Sequence, residues 1–368
     1  MKVAYDLRYA ADHFTGIGTH AFELLAACLE EPDDTQYVVL WNPALPSVRY
    51  DVRPFRQHPR VTWVERDWQP LSLLDPLRLS AWLRRLSPDV FYSPFYLNPP
   101  ISGCASVLTL HDLSPVALAD TLSPAGRLLF SVALRLMRQA QGVLTSSKFS
   151  GDALVSEGDL EAARVHVVPL GVPRSRTSMQ LRPAGVPDMP FVLVVGENRP
   201  RKNLHVLAHA WPSVNTPGPL ALVSSGRTDP RYPSLDDLTP TRSAQHPIVE
   251  LGWRTSAELE WLYAHALLLL VPSRYEGFGF PLVEAFAAKV PVLAADIPTF
   301  REVGGDAAIY LPPDDPAAWA AAISELSADE GLRTAMRERG RQRAEILTYR
   351  RTATATLSVL RHAAAASR

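Results

Sequence analysis

The segment Ser273-Arg274-Tyr275-Glu276-Gly277-Phe278-Gly279-Phe280-Pro281-Leu282-Val283-Glu284-Ala285 sets two carboxylates seven residues apart around a glycine-rich stretch. Gly277, Gly279 and Pro281 oppose helix up to Phe280, and Pro281 suits a first helical turn. Glu276 is therefore expected in a glycine loop after an apolar strand, and Glu284 in the first turn of a helix. Between them lies a cluster of backbone N–H donors at a helix N-terminus, which is an anion site flanked by two acceptors for hydroxyls. A phosphate between two hydroxyl acceptors describes a nucleotide sugar, with ribose at one carboxylate and hexose at the other. The plain structural alternative makes Glu276 a solvated loop residue and Glu284 a partner of the helix dipole.

Other chemistry-bearing residues follow strand-like runs. Arg199-Pro200-Arg201-Lys202-Asn203-Leu204 comes directly after the apolar run at 191–196 and puts three cations in four residues before an expected helix. A diphosphate would dock there, and a solvated basic face is the alternative. Lys202 is one of only four lysines, the others being Lys2, Lys148 and Lys289, and Lys is not equivalent to Arg at a phosphate. His111-Asp112 follows the run at 106–110. Gly16-Ile17-Gly18-Thr19-His20-Ala21 is formally a G-x-G-x-x-A match. It reads as a helix entry or as a flexible loop reaching into a cleft. The dinucleotide reading is weakened because the glycines lie ten residues beyond Asp6, and because the second strand ends in Leu40-Trp41-Asn42 without an acidic ribose ligand. His205 and His209 are i, i+4 neighbours without a third metal ligand, and no D-x-D occurs. No metal site is expected.

Elements of an alternating type must position these residues. Strands are expected at 2–6, 36–41, 61–65, 89–93, 106–111, 142–146 and 165–168, with helices at 17–31, 73–86, 124–141 and 150–157. Pro183, Pro187 and Pro190 break the pattern across 177–190. It restarts with strands at 191–196, 220–224, 248–251, 266–271, 290–295 and 308–311, and helices at 204–211, 256–265, 282–288, 316–327, 330–346 and 351–366. The expected architecture is α/β, with two Rossmann-like domains facing each other across a cleft. Residues 1–172 are expected to form the first domain, 173–190 a linker, and 191–345 the domain that carries the nucleotide-sugar site. Residues 346–368 form a C-terminal helix packing back on the first. Ligands of such sheets sit beyond the carboxyl ends of the strands.

Composition excludes several classes. The 368 residues are 47% hydrophobic, with 37 Lys plus Arg against 38 Asp plus Glu. A net charge of -1 argues against a nucleic-acid binder. The longest aliphatic run, 267–271, is far short of the roughly 20 residues that span a bilayer. The first ten residues carry no signal-peptide pattern, and two cysteines, Cys28 and Cys104, make no disulfide framework. A cytoplasmic protein is expected.

Taken together, these residues resemble family 4 of the retaining glycosyltransferases, which have the GT-B fold. Glu276 to Glu284 is similar to that family's E-x7-E pattern, Pro200-Arg201-Lys202-Asn203-Leu204 to its basic loop, and Thr15-Gly16-Ile17-Gly18 to its glycine loop. Thr109-Leu110-His111-Asp112-Leu113 resembles its histidine motif, and Val168-Pro169-Leu170-Gly171-Val172 its domain-junction segment. Lys289 stands where the family usually has Gly, and Glu197-Asn198 where many members carry an Arg. The resemblance implies that Glu284 binds the donor ribose, and that Glu276 contacts the hexose near its 3- and 4-hydroxyls. Arg201 and Lys202 would neutralise the diphosphate, and the amides of Gly277, Phe278, Gly279 and Phe280 would meet phosphate or sugar oxygens. His111 would sit by the 6-hydroxyl and anomeric centre, and Gly16 and Gly18 would let a loop close over the diphosphate. Catalysis then rests on His111, Glu276, Arg201 and Lys202, with no cofactor beyond the nucleotide-sugar co-substrate.

The Arg-Lys-Asn form of the basic loop is similar to that of mannosyltransferases, which implies GDP-mannose as donor. The acceptor is expected to be a saccharide or lipid-linked saccharide on the first domain. Tyr92, Phe95 and Tyr96 are candidates for stacking on it, with core packing as the alternative. The stretch 71–86, with Arg78, Arg84, Arg85 and Trp82 among leucines, reads as a surface helix, with peripheral membrane contact as the alternative. A nucleotide-sugar epimerase and a two-domain solute-binding protein are the rival functions.

Overall fold

The computed structural model describes residues 1–72, 74–96, 98–100, 103–111, 124–174, 180–240 and 243–367. Leu73, Asp112, Leu113 and residues 177–179, which figure in the sequence reading, lie outside them. The chain divides into two compact units, Met1–Pro173 with Thr348–Arg368, and Arg174–Leu347.

In the first unit the order is β1 (Lys2–Asp6), α1 (Thr15–Glu30), β2 (Gln36–Trp41), α2 (Arg53–Arg56), β3 (Val61–Glu65), α3 (Asp75–Leu86), β4 (Val90–Ser93), β5 (Ala105–Thr109), α4 (Pro124–Met137), β6 (Gly142–Thr145), α5 (Lys148–Ser156) and β7 (Val165–Val167). The strands form a seven-stranded sheet in the order β3-β2-β1-β4-β5-β6-β7, parallel at every pairing. Val3 sits opposite Tyr37 of β2 and Val90 of β4. Central strands read as unbroken apolar runs because helices cover both sheet faces, so alternation is not required.

The second unit repeats the plan with β8 (Phe191–Val195), α6 (Leu204–Ala210), β9 (Ala221–Ser225), α7 (Leu235–Leu238), β10 (Ile248–Glu250), α8 (Ser256–His265), β11 (Leu268–Val271), α9 (Phe280–Ala287), β12 (Val292–Ala295), α10 (Pro298–Gly304), β13 (Ala308–Leu311), α11 (Pro316–Ala328) and α12 (Glu330–Ile346). Its six-stranded sheet has the order β10-β9-β8-β11-β12-β13. Leu193, Leu269, Leu293 and Trp319 are fully buried in its core. Residues 180–190 are grouped with this unit, and the Leu181 amide donates to the Ala257 carbonyl at 3.3 Å. The last helix, α13 (Tyr349–Ala366), belongs to the first unit. Ala353, Leu357 and Leu360 bury in the same core as Leu24 and Leu25 of α1, and Thr352 Oγ1 donates to the Pro169 carbonyl at 2.8 Å.

In each sheet the chain winds one way and then reverses. The switch points are the carboxyl ends of β1 and β4 in the first unit, and of β8 and β11 in the second. Parallel α/β sheets bind ligands at such places. Two expectations need correction. Helix α9 begins at Phe280 rather than 282, because Gly279 adopts a left-handed φ of 101° and lets the helix start on the next residue. Glu284 therefore lies in the second turn, not the first. Helix α10 lies where no helix is expected, since its seven residues are too few to show a period.

Candidate active site

At the second unit's switch point, the chain leaves β8 through Gly196 and makes a short 3-10 turn over Pro200–Lys202. Asn203 fixes this turn to the neighbouring loops. It adopts a left-handed φ of 52°, and its Nδ2 donates to the carbonyls of Pro272 (3.1 Å) and Pro313 (2.7 Å). So anchored, Arg201 and Lys202 reach the loop after β11. Lys202 Nζ lies 2.5 Å from Glu276 Oε1, Arg201 Nη1 is 3.1 Å from Oε2, and Ser273 Oγ donates to Oε1 at 2.9 Å. Gly196, Lys202, Val271 and Ser273 line a small crevice here.

Glu276 is 9% exposed, so it is not the solvated acceptor that a glycine loop suggests. Burial pushes its carboxyl up, but the charges of Lys202 and Arg201, with the hydrogen bonds from Lys202 and Ser273, outweigh it and hold the group at about 2. The arrangement is a preformed cation pair with an internal carboxylate counter-ion.

The glycine loop and α9 follow directly. Gly277 and Phe278 are buried, and the rings of Phe278 and Phe280 meet edge to face at 5.8 Å. A Cβ on Gly279 would lie 2.8 Å from the Phe300 ring, so the loop is packed tightly against α10. α8, α11 and α12 have side-chain N-caps from Thr255, Asp315 and Asp329, whereas α9 has none. An uncapped helix N-terminus beside two cations suits an anion. One turn on, Glu284 is half-buried, and the Tyr263 hydroxyl of α8 donates to its Oε2 at 2.7 Å. Burial first and Glu284 second push the Tyr263 phenol well above its ordinary value, which keeps it a donor.

In the first unit, His111 lies two residues beyond β5, half-buried, with its carbonyl accepting from the hydroxyls of Ser146 and Ser150, both at 3.4 Å. Its ring meets that of His20 edge-on at 5.0 Å. The sequence reading passes over His20 as part of the glycine motif. It is 2% exposed and bonded through Nε2 to the Tyr92 hydroxyl at 2.9 Å, which in turn meets Thr109 Oγ1 at 2.8 Å. Burial first and His111 second push its imidazole well below the ordinary value, so it is neutral. Tyr92 is thus a fully buried core residue and cannot stack on a sugar. Phe95 and Tyr96 remain half-buried with their rings 4.0 Å apart.

Gly16 and Gly18 lie inside α1 rather than in a flexible loop. Gly18 is buried where a Cβ would come within 2.7 Å of the Tyr9 carbonyl oxygen and 2.8 Å of the Tyr50 hydroxyl. Its demonstrable physical role is close packing of the helix on these residues. Sequence reasoning also missed the sealed triad at this switch point. There Arg8 bonds Asp6 (Nη2–Oδ2, 2.7 Å) and Asp75 (Nη1–Oδ1, 2.5 Å), with all three side chains at most 1% exposed. It fastens the start of α3 to the end of β1. His205 and His209 are helix neighbours, with His209 Nδ1 2.7 Å from the His205 carbonyl oxygen. Among the described residues, no group of three or more His, Cys, Asp or Glu side chains could hold a metal ion.

The structure thus brings Arg201, Lys202 and Glu276 into contact, with Gly277, Phe278, Gly279, Phe280 and Glu284 on the adjoining loop and helix, all in the second unit. His111, Gly16 and Gly18 belong to the first.

Two parallel-sheet Rossmann-like units, with a cationic site at the second switch point, define the GT-B class of glycosyltransferases. Residues 14–176 match the profile described as Glycosyltransferase Family 4, and residues 182–343 that of Glycosyl transferases group 1. The chain belongs to the family 4 glycosyltransferases. It is 26% identical to O-antigen chain mannosyltransferase B of Escherichia coli, over 97% of this chain and 99% of that one. It is 29% identical to O-antigen chain mannosyltransferase RfbU of Salmonella typhimurium, over 60% of each chain. Among solved structures, HepE of Anabaena in complex with UDP and glucose has a TM-score of 0.69 at 18% identity, covering 98% of this chain and 100% of that one.

Proposed function

We propose that this protein is a retaining, metal-independent mannosyltransferase of polysaccharide biosynthesis. It takes mannose from GDP-mannose, without a further cofactor, to a hydroxyl of a saccharide or lipid-linked saccharide acceptor. The observation that carries this reading is the contact of Lys202 and Arg201 with Glu276 beside the uncapped start of α9. Two cations already gathered around a carboxylate are ready for a diphosphate. The mannosyl donor is supported by the two mannosyltransferase relatives.

In this reading the diphosphate takes over Lys202 and Arg201, and Glu276 turns to the hexose 3- and 4-hydroxyls. Glu284 accepts from the ribose hydroxyls, and His111 lies by the 6-hydroxyl and anomeric centre. Departure of the nucleoside diphosphate builds negative charge on the leaving oxygen and oxocarbenium character on the sugar. Fixed cations and helix amides stabilise that oxygen more in the transition state than before it. The leaving phosphate takes the acceptor proton, so attack comes from the same face and the anomeric configuration is kept.

A panel of GDP, UDP, ADP and TDP with their sugar conjugates tests the donor by melting temperature, on wild type and Glu284→Ala. A ligand at about 100 times its Kd adds roughly 2.7 kcal/mol. GDP and GDP-mannose are expected to raise the wild-type midpoint and not that of the variant. A shift with UDP alone reassigns the base, and no shift at millimolar concentration removes the donor site. An inverted anomeric configuration in the product, or loss of turnover in EDTA, overturns the mechanism.

The proposal extends to location, in the cytoplasm and at a membrane surface. Leu71, Leu74 and Leu77 are 41%, 55% and 62% exposed, beside exposed Arg78, Arg84 and Arg85 on α3, which suits contact with anionic lipid. Among the described residues no helix is long and apolar enough to cross a membrane. Sedimentation with anionic but not neutral vesicles is the expected result, lost in Leu74→Ser/Leu77→Ser. Equal recovery with both kinds rejects the contact.

A further inference from the structure

We infer that Tyr263 is a positioning residue for nucleotide recognition, its phenol holding the Glu284 carboxylate in the orientation that accepts the ribose hydroxyls. The inference rests on the reading that Glu284 takes the ribose.

Tyr263 comes from α8, whose start is fixed by a reciprocal cap in which Glu258 donates its amide to Thr255 Oγ1 (3.3 Å) and accepts the Thr255 amide at Oε2 (3.0 Å). The ring is 4% exposed and packs in the second unit's core with Leu262. Its hydroxyl reaches Glu284 Oε2 at 2.7 Å, 21 residues away on α9. The donor is therefore carried by a ring buried in the core, and the acceptor by a half-buried residue of α9.

A glutamate side chain has several rotatable bonds, and binding through it costs the freedom it still has. A donor fixed in the core removes that freedom beforehand. The chemistry is compatible with a diol, because phenol and ribose hydroxyls all donate, and a carboxylate offers about four lone-pair directions. One phenol does not exhaust it. A buried tyrosine hydroxyl also needs a partner for stability alone, so the test must separate orientation of the carboxylate from support of the fold.

Isothermal titration makes that separation. GDP, UDP and ADP are each compared with their 2′,3′-dideoxy forms on wild type, Glu284→Gln, Tyr263→Phe and the double variant. Wild type is expected to prefer the ribo form of its nucleotide. Tyr263→Phe keeps the buried ring, so its melting temperature should change little. Its preference for the ribo form should shrink about tenfold, the size of a charge-assisted hydrogen bond, while the dideoxy form binds within about twofold of wild type. In the Glu284→Gln background the same change should add nothing to the loss of preference.

A Tyr263→Phe variant that keeps the wild-type preference, or that weakens both forms equally, makes the contact structural and overturns the proposal. A wild type that binds a nucleotide but does not distinguish ribo from dideoxy instead overturns the ribose reading of Glu284, and the proposal with it. No binding by any of the three nucleotides removes both.

Discussion

Lys202 Nζ and Glu276 Oε1 lie 2.5 Å apart, at the point where the second sheet reverses its winding. The lysine is the residue expected on a leaving diphosphate, and the glutamate the one expected on the sugar, yet the two side chains satisfy each other. The carboxylate then occupies the electrostatic place of a phosphate. Under the proposed function, donor binding would be an exchange of anions around these cations rather than a first neutralisation of them.

Glu276→Gln tests the exchange. Removing the internal anion should tighten inorganic pyrophosphate about tenfold, or roughly 1.4 kcal/mol. That is well inside the roughly 4 kcal/mol between unit charges 4 Å apart at an effective dielectric of 20. Sugar transfer should fall at the same time, because the amide is a poorer acceptor for hexose hydroxyls. Pyrophosphate binding that is unchanged or weaker, read by calorimetry, means that carboxylate and diphosphate do not share the cations.

The same pair sets a pH dependence. Burial works to raise the Glu276 carboxyl, but Lys202 and Arg201 hold it at about 2, against an ordinary 4.5. Between those values the unfolded chain binds the proton and the folded one does not. Stabilisation is therefore complete above about pH 4.5 and is lost as pH falls toward 2. Its full size is about 3 kcal/mol. Urea midpoints of wild type and Glu276→Gln should differ most near pH 7 and draw together as pH falls from about 4.5 toward 2. Parallel curves would mean that the ion pair contributes nothing to folding.

Gly18→Ala sets two effects against each other. In a helix interior alanine is favoured over glycine by about 1 kcal/mol. Here the new Cβ would stand 2.7 Å from the Tyr9 carbonyl oxygen and 2.8 Å from the Tyr50 hydroxyl. The tyrosine side chain can yield, but the backbone oxygen cannot without moving the chain between β1 and α1. Overpacking of this kind costs about 1–3 kcal/mol, so net destabilisation of about 1 kcal/mol is expected in urea denaturation. A stabilised variant would show that this helix entry is loose.

The sheets were legible because parallel strands buried on both faces are centred on short apolar blocks, and Lys2–Asp6, Gln36–Trp41 and Ala308–Leu311 have the bounds expected from the sequence. Short helices were not: Arg53–Arg56 and Leu235–Leu238 are single turns without a period. At the site, local chemistry could be read while pairing could not. Glycines and cations after strand ends mark an anion site, but Lys202 and Glu276 are 74 residues apart, and nothing in either segment names the other. Tyr263 was invisible for the same reason, as one apolar position among several on α8. The contact of His20 with His111 is also tertiary. Nothing in Thr19-His20-Ala21 names that partner.

Lys202→Ala separates binding from transition-state stabilisation. The Lys202 side chain is 13% exposed, so water screens its charge weakly and its field on a departing diphosphate is strong. That field matters most as the sugar–phosphate bond breaks and charge collects on the leaving oxygen. Loss of one such group costs about 10²–10³-fold in kcat, and acceptor KM should hold because the change is on the donor side. Arg201 and Ser273 remain on Glu276, at 3.1 and 2.9 Å, so the carboxylate is not left bare and the melting temperature serves as a check on folding. An unchanged kcat takes Lys202 out of the leaving-group role. A raised donor KM with unchanged kcat would instead make it a residue that binds substrate and transition state alike.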